Sequence, residues 1–256
     1  MATTKDGGTI ESVRRSMEIL ELIKDREGAG VTELANELDW AKSTVHTHLK
    51  TLEENEFLVR NGDRYDLSLR FMNFGEYAKH RHPVYSSIEP KLEELASETE
   101  KRVQFLVQEH GYAVYVRIAE GEHSVSTGAA LGRRRPMLHA TAAGKSILAH
   151  LPPAEVESIL DETGLRRYTQ NTVTDRAELF EQFEAIRERG YAINNEEHIK
   201  GLSAIAAPVT TPDDEVLGSI SVADAAHRMQ GQWFEDELPK LLLGIVNEIE
   251  LDVAYS

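Results

Sequence analysis

Lysine and serine follow a glycine in His139-Ala140-Thr141-Ala142-Ala143-Gly144-Lys145-Ser146, the order in which a phosphate-gripping loop ends. Such a loop needs another glycine five positions earlier, and position 139 is histidine. No strand-like run leads into the segment either, so nucleotide hydrolysis is not the reading. A physical remnant of the idea survives. Small side chains at a helix start let a ligand approach the backbone, where free N–H groups and the helix dipole favour an anion. A small carboxylate suits Thr141, Ala142, Ala143 and Gly144 without any catalytic machinery. The same residues also suit close packing of a helix end on a sheet, and spacing leaves both readings open.

Other polar groups narrow the chemistry further. His46 with His48, and His80 with His82, are two residues apart and share no helix face. Neither pair has an acid at a familiar zinc spacing, so no metal is expected. Asn194-Asn195-Glu196-Glu197-His198 lies just before a strand-like run, where its glutamates either cap a turn or line a cavity. Ser219 and Ser221 alternate with Ile220 and Val222, so both serines face one side, which is solvent or a polar pocket. No Gly-x-Ser-x-Gly elbow surrounds a serine. The expectation is a chain with no catalytic residues and no cofactor.

Composition bounds the setting in which such groups work. The 256 residues carry 28 Lys plus Arg and 44 Asp plus Glu, a net charge of −16, and 41% are hydrophobic. That length allows one large domain or two modest ones, and the apolar share supports a true core. There is no cysteine, which excludes disulfides, thiolate metal sites and thiol catalysis together. No apolar run approaches the ~18 residues of a membrane span, and the opening MATTKDGGTIESVRR has no secretory h-region. A cytoplasmic protein with no membrane partner is expected. The bases are 18 Arg and 10 Lys. An acidic, lysine-poor surface suits a very salty, halophilic cytoplasm, where screening blunts self-repulsion; an ordinary acidic protein of pI 5.1 shares the same balance.

The elements that must position these groups differ along the chain. Over 10–24, Val13, Met17, Leu20 and Ile23 recur at helical spacing, flanked by Ile19 and Leu22, and predict a first helix. Residues 31–35 open a second helix, with Thr32 as its N-cap. A third helix, 41–55, turns Val45, Leu49 and Leu52 inward. The runs 57–60 and 64–67 flank Asn61-Gly62-Asp63 and predict a hairpin. Three helices and a hairpin make a winged helix-turn-helix, whose second and third helices read DNA and whose hairpin is the wing. The segment 41–50 contains no acid in a very acidic chain. Ser43, Thr44, His46 and Thr47 are expected in the major groove, with Lys42, Lys50, Arg60 and Arg64 on phosphates. Residues 71–98 predict a linker helix interrupted at Pro83, with Phe71, Phe74 and Tyr77 as an apolar stripe suited to a second copy of the chain. Beyond it, strand-like runs at 104–107, 113–118, 203–209 and 216–222 alternate with helices at 142–149, 154–162, 175–189 and 235–253. The fold class expected is α+β with an antiparallel sheet.

At this point the chain resembles the IclR-type transcriptional regulators of bacteria and archaea. The N-terminal likeness lies in Ser16-Met17-Glu18-Ile19-Leu20, Val31-Thr32-Glu33-Leu34-Ala35, Lys42-Ser43-Thr44-Val45-His46 and Tyr65-Asp66-Leu67. The C-terminal likeness lies in Leu138-His139-Ala140-Thr141-Ala142-Ala143-Gly144-Lys145, the RERGY run at 187–191, Glu196-Glu197, Gly201 and Ile205-Ala206-Ala207-Pro208-Val209. The resemblance implies a winged helix-turn-helix over 1–70, a linker helix over 71–98 and a GAF-like effector-binding domain over 99–256. It implies a homodimer or a pair of dimers, a double-stranded DNA operator and a small-molecule effector, often an organic or aromatic acid. DNA contacts then fall on Thr32, Lys42, Ser43, Thr44, His46, Thr47, His48, Lys50, Arg60 and Arg64. The effector pocket falls on Leu138, Thr141, Ala142, Ala143, Gly144, Asn194, Glu197, Leu202, Ala204, Ser221 and Ala223. Two departures stand out: Thr47 where members usually carry arginine, and Asn194 where they often carry an acid.

Two other functions compete. A GAF-like sensor or redox enzyme without specific DNA binding would need reactive thiols, which the chain lacks. A DNA-compacting protein should be basic, whereas residues 1–80 hold 11 bases and 15 acids, a net of −4. The sequence therefore predicts a DNA-binding regulator, repressor or activator, answering to a small metabolite.

Overall fold

Helical spacing of apolar residues builds the first part of the chain, although only the second half of the first stripe is buried. In the computed structural model, which describes residues 8–125 and 130–255, α1 (Glu11–Asp25) buries Ile19, Leu20 and Ile23. Val13 and Met17 stay exposed, because the first turns of α1 extend past the small core that its second half packs on. Residues 1–7, at the start of the segment read for a secretory signal, lie outside the described residues. Gly28, at φ +94°, turns the chain into β1 (Ala29–Gly30), a short strand that no periodicity announces. Then follow α2 (Val31–Leu38), α3 (Lys42–Glu54), β2 (Leu58–Asn61) and β3 (Arg64–Leu67). The three strands pair antiparallel in the order β1-β3-β2. Asn61 pairs with Arg64, so the wing turn is Gly62-Asp63 alone, with Gly62 at φ +66°. Val45, Leu49 and Leu52 of α3 are buried as their spacing predicts. Gly30, not Thr32, stands at the N-cap of α2, and the Glu33 carboxylate accepts the Gly30 N–H at 2.8 Å.

The chain divides into two units, Met1–Ala78 and Lys79–Ser256. The expected linker helix is three helices. The first, α4 (Arg70–Lys79), places Phe71 and Phe74 against Phe57, with ring centroids 5.4 and 5.7 Å apart. Two-thirds of the predicted stripe thus has a partner within the chain, and Tyr77 stays exposed. The helix breaks over 80–82 and Pro83 begins the next one, as its fixed φ and missing N–H favour. From there α5 (Pro83–Ser87) and α6 (Glu89–Thr99) bury Val84, Tyr85, Ile88, Leu92 and Leu95 in the core of the second unit. Those residues are core, not connector.

That core forms on one face of a six-stranded sheet. The strands are β4 (Arg102–Glu109), β5 (Tyr112–Glu120), β6 (Arg134–Arg135), β7 (Ala192–Asn195), β8 (Leu202–Thr210) and β9 (Val216–Ala225). All pairs are antiparallel, in the order β6-β5-β4-β9-β8-β7. The alternation of strand side chains sorts residues to two faces. Val103, Phe105, Ile205, Ala207, Ile220 and Val222 face α5, α6 and α10 (Leu238–Ala254). Leu106, Ala192, Ala204, Ala206 and Ala223 face the helices α7 (Ala142–His150), α8 (Pro153–Thr163) and α9 (Arg176–Arg189). The second face holds the cavity described next.

Candidate functional site

The start of α7 is fixed by two local devices. Thr141 is its N-cap, accepting the Gly144 N–H on Oγ1 at 3.1 Å. Gly144 itself lies against the 3₁₀ turn Leu138–Ala140: a Cβ there would stand 2.1 Å from the Leu138 carbonyl oxygen. The glycine therefore serves close backbone packing, the second of the two readings that spacing leaves open. Leu138 is buried in the core beside it. Beyond this cap, Thr141, Ala142 and Ala143 line a cavity of about 50 Å³ between the helix start, the sheet and the segment after β7.

The sheet supplies the rest of the wall. Asn194, Leu202, Ala204, Ser221 and Ala223 line the same cavity. They do so because β7, β8 and β9 run side by side in register: Asn194 opposes Ala204, and Ala204 opposes Ala223. Ser219 shares the face of Ser221 but is satisfied elsewhere, donating to the Ala207 carbonyl at 2.9 Å. Asn194 ties the wall together. Its Nδ2 donates to the Ala140 carbonyl at 2.8 Å and its Oδ1 accepts the Glu197 N–H at 2.9 Å.

Three residues expected in the pocket do not line it. Leu138 and Gly144 are the packing pair just described. Glu197 turns away to Lys145, whose Nζ sits 2.6 and 2.8 Å from its two carboxylate oxygens and 2.9 Å from Gln182 Oε1. Both partners of this ion pair are buried. Burial pushes the Lys145 ammonium down from its usual range, and the Glu197 carboxylate opposes that. A ligand carboxylate would not displace Glu197 from a charge that it already neutralises.

The cavity also has a side that sequence reasoning missed: Gln104, Leu106, Tyr115, Arg135, Met137, His198 and Ile199. Gln104 could have been found, since it is the polar residue inside the apolar run Val103-Gln104-Phe105-Leu106-Val107 and pairs across the sheet with Ser221. Arg135 could not, because a run of three arginines, two of them on a two-residue strand, carries no period. Arg134 stacks over the Tyr112 ring at 4.3 Å, and only Arg135 reaches the cavity. Burial, then the charges of Arg135 and His139, hold His198 below its usual range. His139, buried nearby, is likewise pushed down by desolvation and donates through Nε2 to the Arg166 carbonyl at 3.0 Å.

A second candidate face lies on the first unit. Ser43, His46, Thr47 and Lys50 recur at i, i+3, i+4 and i+7 on α3 and are exposed opposite Val45 and Leu49. Lys42 is exposed beside them, Thr44 is half-buried at the flank, and Thr32 is exposed in the first turn of α2. Thr47 donates its hydroxyl to the Ser43 carbonyl at 2.9 Å, which leaves the oxygen as an acceptor. His48 is not on this face. Its Nδ1 lies 2.8 Å from Ser16 Oγ, and its ring lies against Trp40. Arg60 stays exposed on the wing, its Nε donating to the Gly62 carbonyl at 2.9 Å. Arg64 is committed within the chain, reaching Glu33 at 3.1 Å and the Gly28 carbonyl, and so staples the wing to α2 rather than standing free.

Comparison with known proteins decides which fold family carries these two faces. The description "IclR helix-turn-helix domain" matches residues 12–62, and "Bacterial transcriptional regulator IclR C-terminal" matches residues 77–251. The chain belongs to the IclR family of transcriptional regulators. A relative from Halobacterium salinarum, described as the probable HTH-type transcriptional regulator ArcR, is 33% identical over 94% of this chain and 93% of its own length. The crystal structure of the Thermotoga maritima IclR is 27% identical, with a TM-score of 0.79 over 96% of this chain and 100% of that one. The inducer-binding domain of Acinetobacter PobR, solved as a double mutant with 3-hydroxybenzoic acid, is 27% identical with a TM-score of 0.58, covering 64% of this chain and 96% of that one. As an IclR-family member, this chain is a transcription regulator that pairs a helix-turn-helix domain with an effector-binding domain. Among the described residues no cluster of His, Asp and Glu is placed to hold a metal, and no helix is long and apolar enough to cross a membrane.

Proposed function

We propose that this regulator reads its operator with Ser43, His46 and Thr47 of α3, supported on phosphates by Lys42, Lys50 and the wing residue Arg60, and that a small organic acid in the cavity beside α7 controls its affinity. It catalyses no reaction on that acid. The observation that carries the reading is the cavity itself: closed on one side by the α7 start, lined by hydrogen-bonding side chains, and holding one cation, Arg135, with no acid among its lining residues. The aromatic acid seen with the PobR domain belongs to that protein, and the volume here suits a smaller effector. Acting on DNA, the protein works in the cytoplasm.

Exposed apolar side chains on the first unit support a homodimer. Ile10, Val13 and Met17 are spaced along one side at α1, and Leu69, Met72 and Tyr77 stand out at α4, each more than half exposed. Two copies also suit the task, since helix-turn-helix dimers read two half-sites a helical turn or its multiples apart. Footprinting on the DNA upstream of the protein's own gene tests the reading. One bounded protected site, whose affinity changes when short-chain carboxylates are added, is the expected result. Uniform coverage, or no protection with or without carboxylates, would overturn it.

A further inference from the structure

Two buried donors in the cavity wall have nothing to donate to. Gln104 is 6% exposed, and its Nε2 has no hydrogen-bond partner. The Nε of Arg135 is buried and also has none. Both residues line the same cavity. An unmade hydrogen bond of this kind is costly, more so for a charged group, and buried polar groups are otherwise nearly always paired. The charges nearby do not relieve Arg135. Lys145 and Glu197 neutralise each other, His198 and His139 are held toward their neutral forms, and Asn194 carries no charge. A cation and an amide N–H facing one small space, with no acid among the residues that line it, describe a receptor for an anion bearing two acceptor atoms.

We infer that Gln104 and Arg135 are the specificity-determining clamp for the carboxylate of a compact organic acid, an inference that rests on the cavity being the effector site. The two residues come from different strands. Gln104 is on β4 directly opposite Ser221, and Arg135 is on the short edge strand β6 opposite Ala113. A carboxylate between them gives each donor an oxygen and gives Arg135 its missing counter-charge, the charge-assisted arrangement that makes such bonds strong. The space left for the rest of the ligand is small. About 50 Å³ holds only a few water-sized spheres at about 10–15 Å³ each, which admits a two- to four-carbon acid and not an aromatic ring without movement of the wall. Ala142, Ala143, Ala204 and Ala223 form its apolar side, while Ser221 stands ready for a hydroxyl or oxo group.

The test titrates the full chain with lactate and with its neutral isostere lactamide into the millimolar range, followed by amide NMR of the cavity-lining residues and of the Gln104 and Arg135 side-chain N–H groups. Lactate should shift both side-chain signals and the Thr141–Ala143 amides, and lactamide should bind at least about tenfold more weakly, the ordinary worth of a charged hydrogen bond. Arg135→Gln and Gln104→Leu should each weaken lactate binding by about tenfold or more. Gln104→Leu should at the same time leave the ligand-free melting temperature unchanged or raised, because it removes an orphaned donor; a merely structural glutamine would lower it. If lactate or lactamide shifts the cavity amides but neither variant weakens binding, the clamp is wrong and the cavity stands. If no carboxylate, acetate and lactate included, shifts any cavity amide, both the clamp and the effector reading fail.

Discussion

Lys145 shows how a single residue can belong to a binding motif by sequence and to the scaffold by structure. It follows Gly144 as the lysine of a phosphate loop would, yet its ammonium is enclosed with Glu197 and Gln182. Removing one partner of a buried pair strands the other charge, at a cost of about 3–5 kcal/mol. Lys145→Ala should therefore destabilise the second unit by about that amount in urea unfolding. The double change Lys145→Met with Glu197→Gln should recover much of it, since it leaves no charge without a partner. Equal losses for the single and double variants would mean that packing of the lysine stem, not the ion pair, holds the segment after β7 against α7.

At the scale of elements, α3 and the wing divide the work of DNA contact unevenly. The reading face of α3 offers hydroxyls, one exposed histidine and two lysines, one of which lies 3.6 Å from Glu54. Arg64, held by Glu33 and Gly28, fixes the wing in place, so Arg64→Ala should act through the stability of the wing before it acts on phosphates. Few phosphates are neutralised by such an element, and the expected salt dependence of operator binding is shallow. Thr47→Arg gives α3 a long cation on its exposed face. It should tighten binding at low salt and steepen the slope by roughly 0.9 log unit per log unit of salt, the release expected for one added phosphate contact. Affinity measured from low to molar potassium chloride reads this directly; an unchanged slope would show that an arginine at position 47 reaches no phosphate.

For the whole molecule, charge and exposed apolar surface pull in opposite directions. A net charge of −16 makes two copies repel, while the exposed residues at α1 and α4 reward association by covering them. Salt weakens the first effect within a Debye length, about 10 Å at 0.1 M, and leaves the second intact or stronger. Light scattering should give twice the 28.7 kDa chain mass, and the dimer should tighten as potassium chloride rises. A monomer at micromolar concentration at all salts, with and without DNA, would show that the apolar residues do not join two chains. The same salt response is what an acidic, lysine-poor protein from a salty cytoplasm would need.

Local pattern alone determined much of this protein. The three helices and hairpin of the first unit, the four long strands and the four later helices are all legible, because each is an apolar run bounded by turn residues, with a helical or alternating period in most of them. The shared strand face of Ser219 and Ser221 is legible from alternation and the start of α7 from its small residues, whereas Ala223 entered the expected site only through the family resemblance. The short elements β1, β6 and β7 are not legible, since two to four residues give no period and exist only through pairing with a longer neighbour. Nor could the sequence tell that the helices after Pro83 are core rather than connector, because an apolar stripe does not name the surface that covers it. The cavity was divided in the same way. Thr141, Ala142 and Ala143 are local, whereas Gln104 and Arg135 meet only when β4, β5 and β6 pair. Glu197 left the expected site for Lys145 because a buried charge must find an opposite one, and which one lies within reach is decided only by the tertiary fold.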